Sequence, residues 1–298
     1  EAALQAVRQL LLAARATRVA PAIDRKRIAA WNGLMLAALA EAARVFDDAA
    51  MLEAAERLAG FLCREMVVGD RVARTWMDGV RKQPGFLEDQ AAVAAGLLAL
   101  YKTTGRHDLL RQARQLAVAM LRDFYDADAG SFYDTARDHD ALITRPRELT
   151  DNATPSGSSL ACDVLLQLDG LDGAPAHRAI VAQLLDAVAA PMSEHPLGFG
   201  HWLGVADRLL HGAVEVALVG TDDGHAALTD VLRRMYVPAL ILAQGPVHAA
   251  DAPALLRDRN PVNSRATAFV CRGFTCELPT VDAGALAQQL RSVVRRTR

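Results

Sequence analysis

Cysteine, lysine and aromatic residues are scarce in this sequence, and the shortages exclude several classes of protein. Four cysteines among 298 residues are too few and too scattered for the disulfide framework of a small secreted domain. Lysine occurs only three times, so arginine carries most of the basic charge, and the formal net charge is −2. This balance gives no electrostatic reason to expect nucleic acid or an anionic membrane as a partner.

Long apolar runs and the short motifs of several enzyme classes are also missing. No apolar run reaches the roughly 18 residues that span a bilayer, and the first residues lack the pattern of a signal peptide. No G-x-S-x-G, H-E-x-x-H or P-loop motif occurs, which argues against serine hydrolases, zinc proteases and P-loop NTPases. Cys271 and Cys276 have no second Cys or His pair at zinc spacing. We therefore expect a cytoplasmic protein without membrane contact, metal or cofactor.

The apolar residues follow two helical patterns that alternate along the chain. Residues 28–46, 86–101 and 159–168 are apolar nearly all round, as expected of helices that are buried on every side. Residues 51–66 and 106–124 instead carry one apolar stripe and one charged face. Two concentric rings explain the alternation, because inner helices are fully buried and outer helices are half exposed. The sequence therefore predicts a mainly α fold, an α/α toroid.

The pattern changes after residue 212. The runs AVEVALVG and VPALILAQG are short, apolar and ended by glycine, and a helical stretch at 224–236 separates them. These features indicate a βαβ unit, which one more strand and a closing helix follow. We expect two regions, toroid hairpins over 1–212 and a small C-terminal α/β unit packed on them over 213–298.

A polar cluster begins each predicted inner helix, including a fourth candidate at 197–210. Capping explains each cluster taken singly, because short polar side chains satisfy the free N–H groups of a first turn. Together the clusters contain more than caps require, and they line one rim of a central cavity if the inner helices run parallel. The candidate site residues are Asp24, Trp31, Asn32, Glu88, Asp89, Asp151, Ser156, His201 and Trp202.

The candidate residues suit two kinds of sugar chemistry. Asp89 and Asp151 come from different helices and would serve as the acid and the base or nucleophile of glycoside hydrolysis, with Glu88 beside them. An epimerase or isomerase would instead use a histidine base, and His201 is the one histidine at a comparable place. We expect the other histidines, His107 among them, to face solvent. The remaining candidates are assigned to substrate binding, with Trp31 as an apolar plate for a sugar ring.

Four motifs, taken in order, resemble a known family. PAIDRKRIAAWNGLM, FLEDQA, DNATPSGSS and VCRGFTCELP are similar to segments of the spermatogenesis-associated protein 20 family. The resemblance implies a six-hairpin α/α toroid similar to glycosidases and N-acylglucosamine 2-epimerases. It also implies an upstream thioredoxin-like domain as a partner within the same protein. This chain would then correspond to the C-terminal part, with an incomplete toroid.

The chain departs from the family pattern at three polar positions. The family usually has Asp, Tyr and Asn where this chain has Arg25, Gln90 and Ser158. The positions that match the family are Asp24, Lys26, Trp31, Asn32, Glu88, Asp89, Asp151, Ser156 and Gly157.

Three hypotheses for function follow. The leading one is a carbohydrate-active toroid that binds a small sugar, with epimerase-like, isomerase-like or glycosidase-like chemistry. The alternative is a non-catalytic scaffold or interaction region of a protein with a thioredoxin-like domain, which the three departures favour. A third is redox chemistry at Cys271 and Cys276, although the scattered cysteines favour a plain structural role for this pair.

Overall fold

The computed structural model describes residues 1–140, 143–273 and 275–295. Helices dominate this part of the chain, and none of those described has both the length and the apolar character needed to cross a bilayer. The helices are α1 (Ala2–Ala16), α2 (Ala29–Phe46), α3 (Ala49–Phe61), α4 (Leu87–Thr104), α5 (His107–Asp123), α6 (Gly157–Asp172), α7 (Pro175–Glu194), α8 (Gly200–His211), α9 (Gly224–Arg234) and α10 (Ala283–Arg295).

The strands form three small sheets. In the first sheet β1, β2 and β4 all pair antiparallel with β3, in the second the order is β10-β9-β7-β8, and β5 pairs with β6 in the third. The strands are β1 (Arg27–Ile28), β2 (Val67–Val68), β3 (Arg71–Met77), β4 (Val80–Pro84), β5 (Tyr125–Asp126), β6 (Ser131–Phe132), β7 (Val214–Val219), β8 (Leu240–Gln244), β9 (Thr267–Arg272) and β10 (Thr275–Cys276).

Helical hairpins stack in two layers. The inner helices α2, α4, α6 and α8 lie side by side in chain order, and α3, α5 and α7 pack against them from outside. α4 is buried around its circumference, whereas α5 buries one stripe that includes Leu109, Leu116 and Met120. Together with the small sheet near the C-terminus, this arrangement confirms the predicted mainly α fold of layered hairpins with an α/β unit.

The two helices at the ends of the inner layer are less buried than predicted. α2 leaves Trp31 64% and Met35 54% exposed, and α8 leaves Leu203 45% and Leu210 77% exposed. Each of these helices has an inner neighbour on one side only among the described elements. The apolar sequence of α2 therefore matches one buried face and one open face, and the expectation of burial on every side is wrong for this helix.

The inner helices run parallel to one another. The Ala30 N–H at the start of α2 donates to Asp89 at the start of α4 over 2.9 Å. Near their C-terminal ends, the Thr103 hydroxyl donates to the Ala40 carbonyl over 3.1 Å. At the front of α6, Gly157 lies against the first turn of α4. The N-terminal ends of these helices consequently lie on one side of the molecule.

The C-terminal region contains the predicted βαβ unit. β7 and β8 are parallel and are joined through α9, while β9 lies antiparallel on the other side of β7. α9 and α10 cover this sheet through a separate apolar cluster that includes Leu228, Leu232, Leu286 and Leu290. The division of the chain at residue 212 stays a prediction.

Two elements lie outside the predicted pattern. α1 has no buried residue, so its apolar positions have no packing partner among the described elements. The hairpin of β3 and β4 turns through Asp78 and Gly79, both with positive φ. Asp-Gly is a common pair in two-residue hairpin turns. This dipeptide therefore indicates the β3–β4 hairpin, which the search for helical patterns did not predict.

Replacement of Gly33 by alanine should separate α2 from α4. A Cβ at this position would lie 2.4 Å from the backbone carbon of Ala92, and backbone atoms cannot move aside cheaply. We expect Gly33→Ala to lower the free energy of unfolding by about 2 kcal/mol or more in urea denaturation. The control is Gly204→Ala in α8, where an added Cβ meets no atom within 4 Å. Equal stability of the two variants would contradict this packing.

Candidate functional site

A cavity of about 280 Å³ opens at the N-terminal ends of α4 and α6. Strand β3, the start of α4 and residues 134–135 and 146–157 form its wall. Charged, hydroxyl-bearing and aromatic side chains share this wall. The lining residues are Arg74, Phe86, Glu88, Asp134, Thr135, Pro146, Glu148, Thr150, Asn152, Thr154, Pro155, Ser156 and Gly157.

Arg74 holds one wall of the cavity in place. Its Nη1 lies 2.7 Å from Glu88 Oε1 and 2.9 Å from Asp89 Oδ2. Its guanidinium carbon lies 4.4 Å from the centre of the Phe86 ring. Burial lowers the pKa of Arg74, but the Glu88 and Asp89 carboxylates outweigh burial and raise it. Arg74 is therefore a fixed cation, and Glu88 is held facing it.

Asp134 and Glu148 line the same cavity, and their pKa values are shifted in opposite directions. Burial raises the pKa of Asp134, and the negative charges of Glu148 and Glu88 raise it further. The hydrogen bond that Asp134 accepts from the Glu148 N–H opposes this rise. The hydroxyl and the N–H of Thr150 both donate to Glu148 and lower its pKa. The pKa values of the two carboxyls therefore move apart, which is the pattern of an acid and base pair.

Asp89 is fully buried and its oxygens are occupied. Oδ1 accepts the Ala30 N–H, and Oδ2 accepts the Phe86 N–H and an Arg74 donor, each over 2.9 Å. Burial raises the pKa of Asp89, and these donors oppose the rise. Its bond to Phe86 caps α4 while its bond to Ala30 ties in α2. Asp89 does not line the cavity.

Asp151 binds two helix starts in the same way. Oδ1 accepts the Ser156 N–H over 2.9 Å and the Ser159 hydroxyl over 2.8 Å. Oδ2 accepts the N–H groups of His201 and Trp202 over 2.8 and 3.2 Å. The carboxylate therefore joins the first turns of α6 and α8, and it too is absent from the cavity lining.

The first predicted cluster does not line the cavity. Asp24 is exposed and accepts the backbone N–H of Lys26, whose N–H and ammonium group lower its pKa. Trp31 is 64% exposed, and the Asn32 amide donates to the Ile28 carbonyl over 2.8 Å. The structure therefore does not place these three residues in one cavity wall with Glu88.

The remaining candidates divide between the cavity and the core. Ser156 lines the cavity and caps α6 by accepting the Ser159 N–H. Trp202 is fully buried, and its indole N–H donates to the Leu149 carbonyl over 2.7 Å. His201 contributes its backbone N–H to Asp151, and its ring does not reach the cavity lining. Of the nine candidates, only Glu88 and Ser156 line the cavity.

One expectation about the histidines is wrong. His107 is 7% exposed, and its Nε2 lies 3.2 Å from the Gln244 carbonyl oxygen. It begins α5 where the helical layers meet strand β8, and its apolar ring fills that contact.

Sequence reasoning missed Arg74, Phe86, Asp134 and Glu148 as site residues. Arg74 lies on a strand of the hairpin that the helical pattern did not reveal. Asp134 and Glu148 lie in an irregular segment without any periodic signal. Phe86 directly precedes Leu87 and Glu88, and the sequence pattern assigns it to an apolar helix.

Two of the three departures from the family pattern, Gln90 and Arg25, are accommodated locally. The Gln90 amide oxygen accepts the Val72 N–H over 3.0 Å, and its nitrogen donates to the Asp70 carbonyl over 2.6 Å. Arg25 is exposed and pairs with Asp78 over 3.2 Å. Gln90 therefore ties α4 to β3, so its hydrogen-bonding capacity is used within the fold.

Comparison with known sequences supports the resemblance that the motifs carry. The chain is similar to spermatogenesis-associated protein 20. The human protein is 29% identical over 297 residues, which cover 94% of this chain and 38% of that protein. The rat protein gives the same identity and coverage. The chain spans 38% of the length of these relatives, consistent with the predicted match to their C-terminal part. No family model matches the chain.

Comparison with solved structures finds partial likeness to cellobiose 2-epimerases. The enzyme from Spirochaeta thermophila DSM 6192 is 16% identical, with a TM-score of 0.47 over 55% of this chain and 43% of that one. The enzyme from Bacillus thermoamylovorans B4167 is also 16% identical, with a TM-score of 0.45 over 55% and 44%.

Substitution of Asp151 by asparagine should weaken the fold. Asparagine keeps one acceptor oxygen, so donors on one of the two helix starts lose their partner. We expect Asp151→Asn to lower the free energy of unfolding by about 3 kcal/mol, because unsatisfied donors are costly. Urea denaturation measures this, with Asp186→Asn on the exposed side of α7 as the control. Unchanged stability of Asp151→Asn would show that the carboxylate does not hold the helices together.

Proposed function

We propose that the cavity binds a small neutral or amino sugar and that its carboxyl groups carry glycosidase-like acid and base chemistry. The observation that supports this most is the pair of carboxyls on one cavity whose pKa values move apart, raised at Asp134 and lowered at Glu148. Hydrolysis of a glycosidic bond uses one neutral carboxylic acid as donor and one carboxylate as base or nucleophile. Asp134 suits the first role, and Glu148 or Glu88 suits the second.

The remaining wall suits a polyhydroxyl ligand. Threonine, serine and asparagine side chains offer both donors and acceptors, and the Phe86 ring offers an apolar face. Three carboxyls against one arginine make the cavity unfavourable for acidic sugars. We therefore infer a neutral or amino sugar as the ligand class.

Hydrolase-like chemistry fits the cavity better than an epimerase or isomerase mechanism. No histidine lines the cavity among the described residues, and His201 lies outside it. Asp89 and Asp151 then act as positioning residues, because backbone N–H groups of neighbouring helices already occupy both of their oxygens. We therefore assign the acid and base roles to Asp134, Glu148 and Glu88 instead.

Further proposals concern the full-length protein of which this chain would be a part. The chain spans 38% of its relatives' length, so a sugar substrate, a cytoplasmic location and a thioredoxin-like partner domain are proposals for the full protein. The scaffold alternative has one observation in its favour. α1 exposes Leu4, Leu10 and Leu11 by more than 60% each and buries none of its residues. A partner protein would cover such a face.

Calorimetric titration with a panel of neutral, amino and acidic mono- and disaccharides tests the proposal. We expect saturable binding of a neutral or amino sugar, and an affinity at least about tenfold lower in Glu88→Gln because a charged hydrogen bond is lost. Asp186→Asn, remote from the cavity, serves as the control and should bind like the unaltered chain. Absence of binding by a folded chain across the panel would favour the scaffold alternative.

Asp134 should also give a pH-dependent stability. Its pKa is raised in the folded state, so the folded chain binds this proton more tightly than the unfolded chain does. Proton binding at Asp134 therefore stabilises the fold in full below the ordinary pKa of 3.8, and this stabilisation is lost as the pH rises through the folded pKa. We expect Asp134→Asn to be more stable than the unaltered chain at pH 7, and the difference to shrink as the pH falls toward 3.8. Urea denaturation at a series of pH values measures this. A variant that is less stable by the same amount at every pH would contradict the assignment.

A further inference from the structure

A cysteine pair lies in the C-terminal region, away from the carbohydrate cavity. Cys271 on β9 and Cys276 on β10 are directly opposite partners in the antiparallel register, and a disulfide joins them. Cys271 is 3% exposed, whereas Cys276 is open to solvent. One sulfur can therefore meet an incoming thiol while the other is shielded.

An arginine lies beside both sulfurs. Arg259 Nη2 is 3.3 Å from Cys271 Sγ and 4.0 Å from Cys276 Sγ. A second donor of the same guanidinium is anchored on the Leu255 carbonyl, and the group lies over the Phe269 ring. Glu215, the register partner of Cys271 on β7, is the acid that faces Arg259. A guanidinium at this distance stabilises a thiolate, the form in which sulfur leaves a disulfide.

The other two cysteines lack such an environment. Burial raises the pKa of the fully buried Cys162 thiol, and burial also raises that of Cys63. Neither has a sulfur within hydrogen-bond distance of an arginine among the described contacts. They are therefore internal controls for the reactive pair.

We infer that Cys271 and Cys276 form a reversible thiol–disulfide exchange site, on which a dithiol reductant acts at the exposed Cys276 sulfur while Arg259 stabilises the departing Cys271 thiolate. This site is independent of the proposed carbohydrate chemistry, since none of its residues lines the cavity.

The exchange balances in two steps. A thiolate of the dithiol attacks Cys276 Sγ, a mixed disulfide forms, and the Cys271–Cys276 bond breaks with its electron pair on Cys271. The second thiolate of the dithiol then attacks its own sulfur in the mixed disulfide and releases Cys276 as a thiolate. Two electrons pass to the protein, the dithiol becomes a disulfide, and the protein thiolates take up protons from solvent. Oxidation by a disulfide reverses both steps.

Reduction of the folded chain in buffers of reduced and oxidised dithiothreitol tests the site. Each sample is quenched with acid, unfolded and alkylated, and mass spectrometry counts the free cysteines. We expect Cys271 and Cys276 to become free together in one reversible transition while the circular dichroism of the folded chain stays unchanged. A pair that stays oxidised in excess dithiol until the chain is unfolded would overturn the inference. A pair that a disulfide does not oxidise would overturn it as well. This titration needs no variant, so it holds whether or not a mutant folds.

Arg259→Gln tests the role of the guanidinium. We expect the rate of reduction by dithiothreitol to fall about tenfold, because the Cys271 leaving group loses its stabilising charge. Arg257→Gln, an exposed arginine two positions away, is the matched control and should be reduced at the original rate. Equal rates for the two variants would overturn the assignment of Arg259.

Discussion

The buried carboxylate of Asp89 joins two inner helices, α2 and α4, to strand β3. It accepts N–H groups from the first turn of α2 and from the start of α4, and it binds Arg74 on β3. A fully buried carboxylate must find all its hydrogen bonds inside the protein, because water cannot supply them. Its position therefore fixes two inner helices and one strand at a single point, and the close approach of Gly33 to Ala92 continues that contact along the helices.

Parallel inner helices place their unpaired N–H groups on one side of the molecule, and this explains where polar residues gather. Asp89 and Asp151 each accept hydrogen bonds from the N–H groups of two neighbouring helices. Their oxygens are therefore already occupied by the backbone of the fold. The cavity beside them is lined by carboxyls that hold no helix start together, Asp134, Glu148 and Glu88. Structural acids and candidate reactive acids thus lie side by side but have different partners.

The sequence predicted the helical layers well because burial imposes a strong periodic pattern. The buried circumference of α4 and the one-sided stripe of α5 both match their residue patterns. The site was harder to predict, since it depends on contacts that no period encodes. Asp134 and Glu148 lie in an irregular segment, and Asp89 and Asp151 come from the starts of different helices, as a catalytic pair would, although their oxygens face backbone donors. Periodicity tells which face is buried, but not which partner a buried polar group meets.

The proposed function depends on binding of a sugar in the cavity between Arg74, Glu88 and Asp134. The most direct measurement is a crystal structure of the chain soaked with the neutral or amino saccharide that binds most tightly in solution. We predict density for the sugar inside the cavity, with hydroxyl groups within hydrogen-bond distance of Glu88 and Asp134. An empty cavity at saturating sugar, or sugar bound only at an outer surface such as that around Trp31, would contradict it.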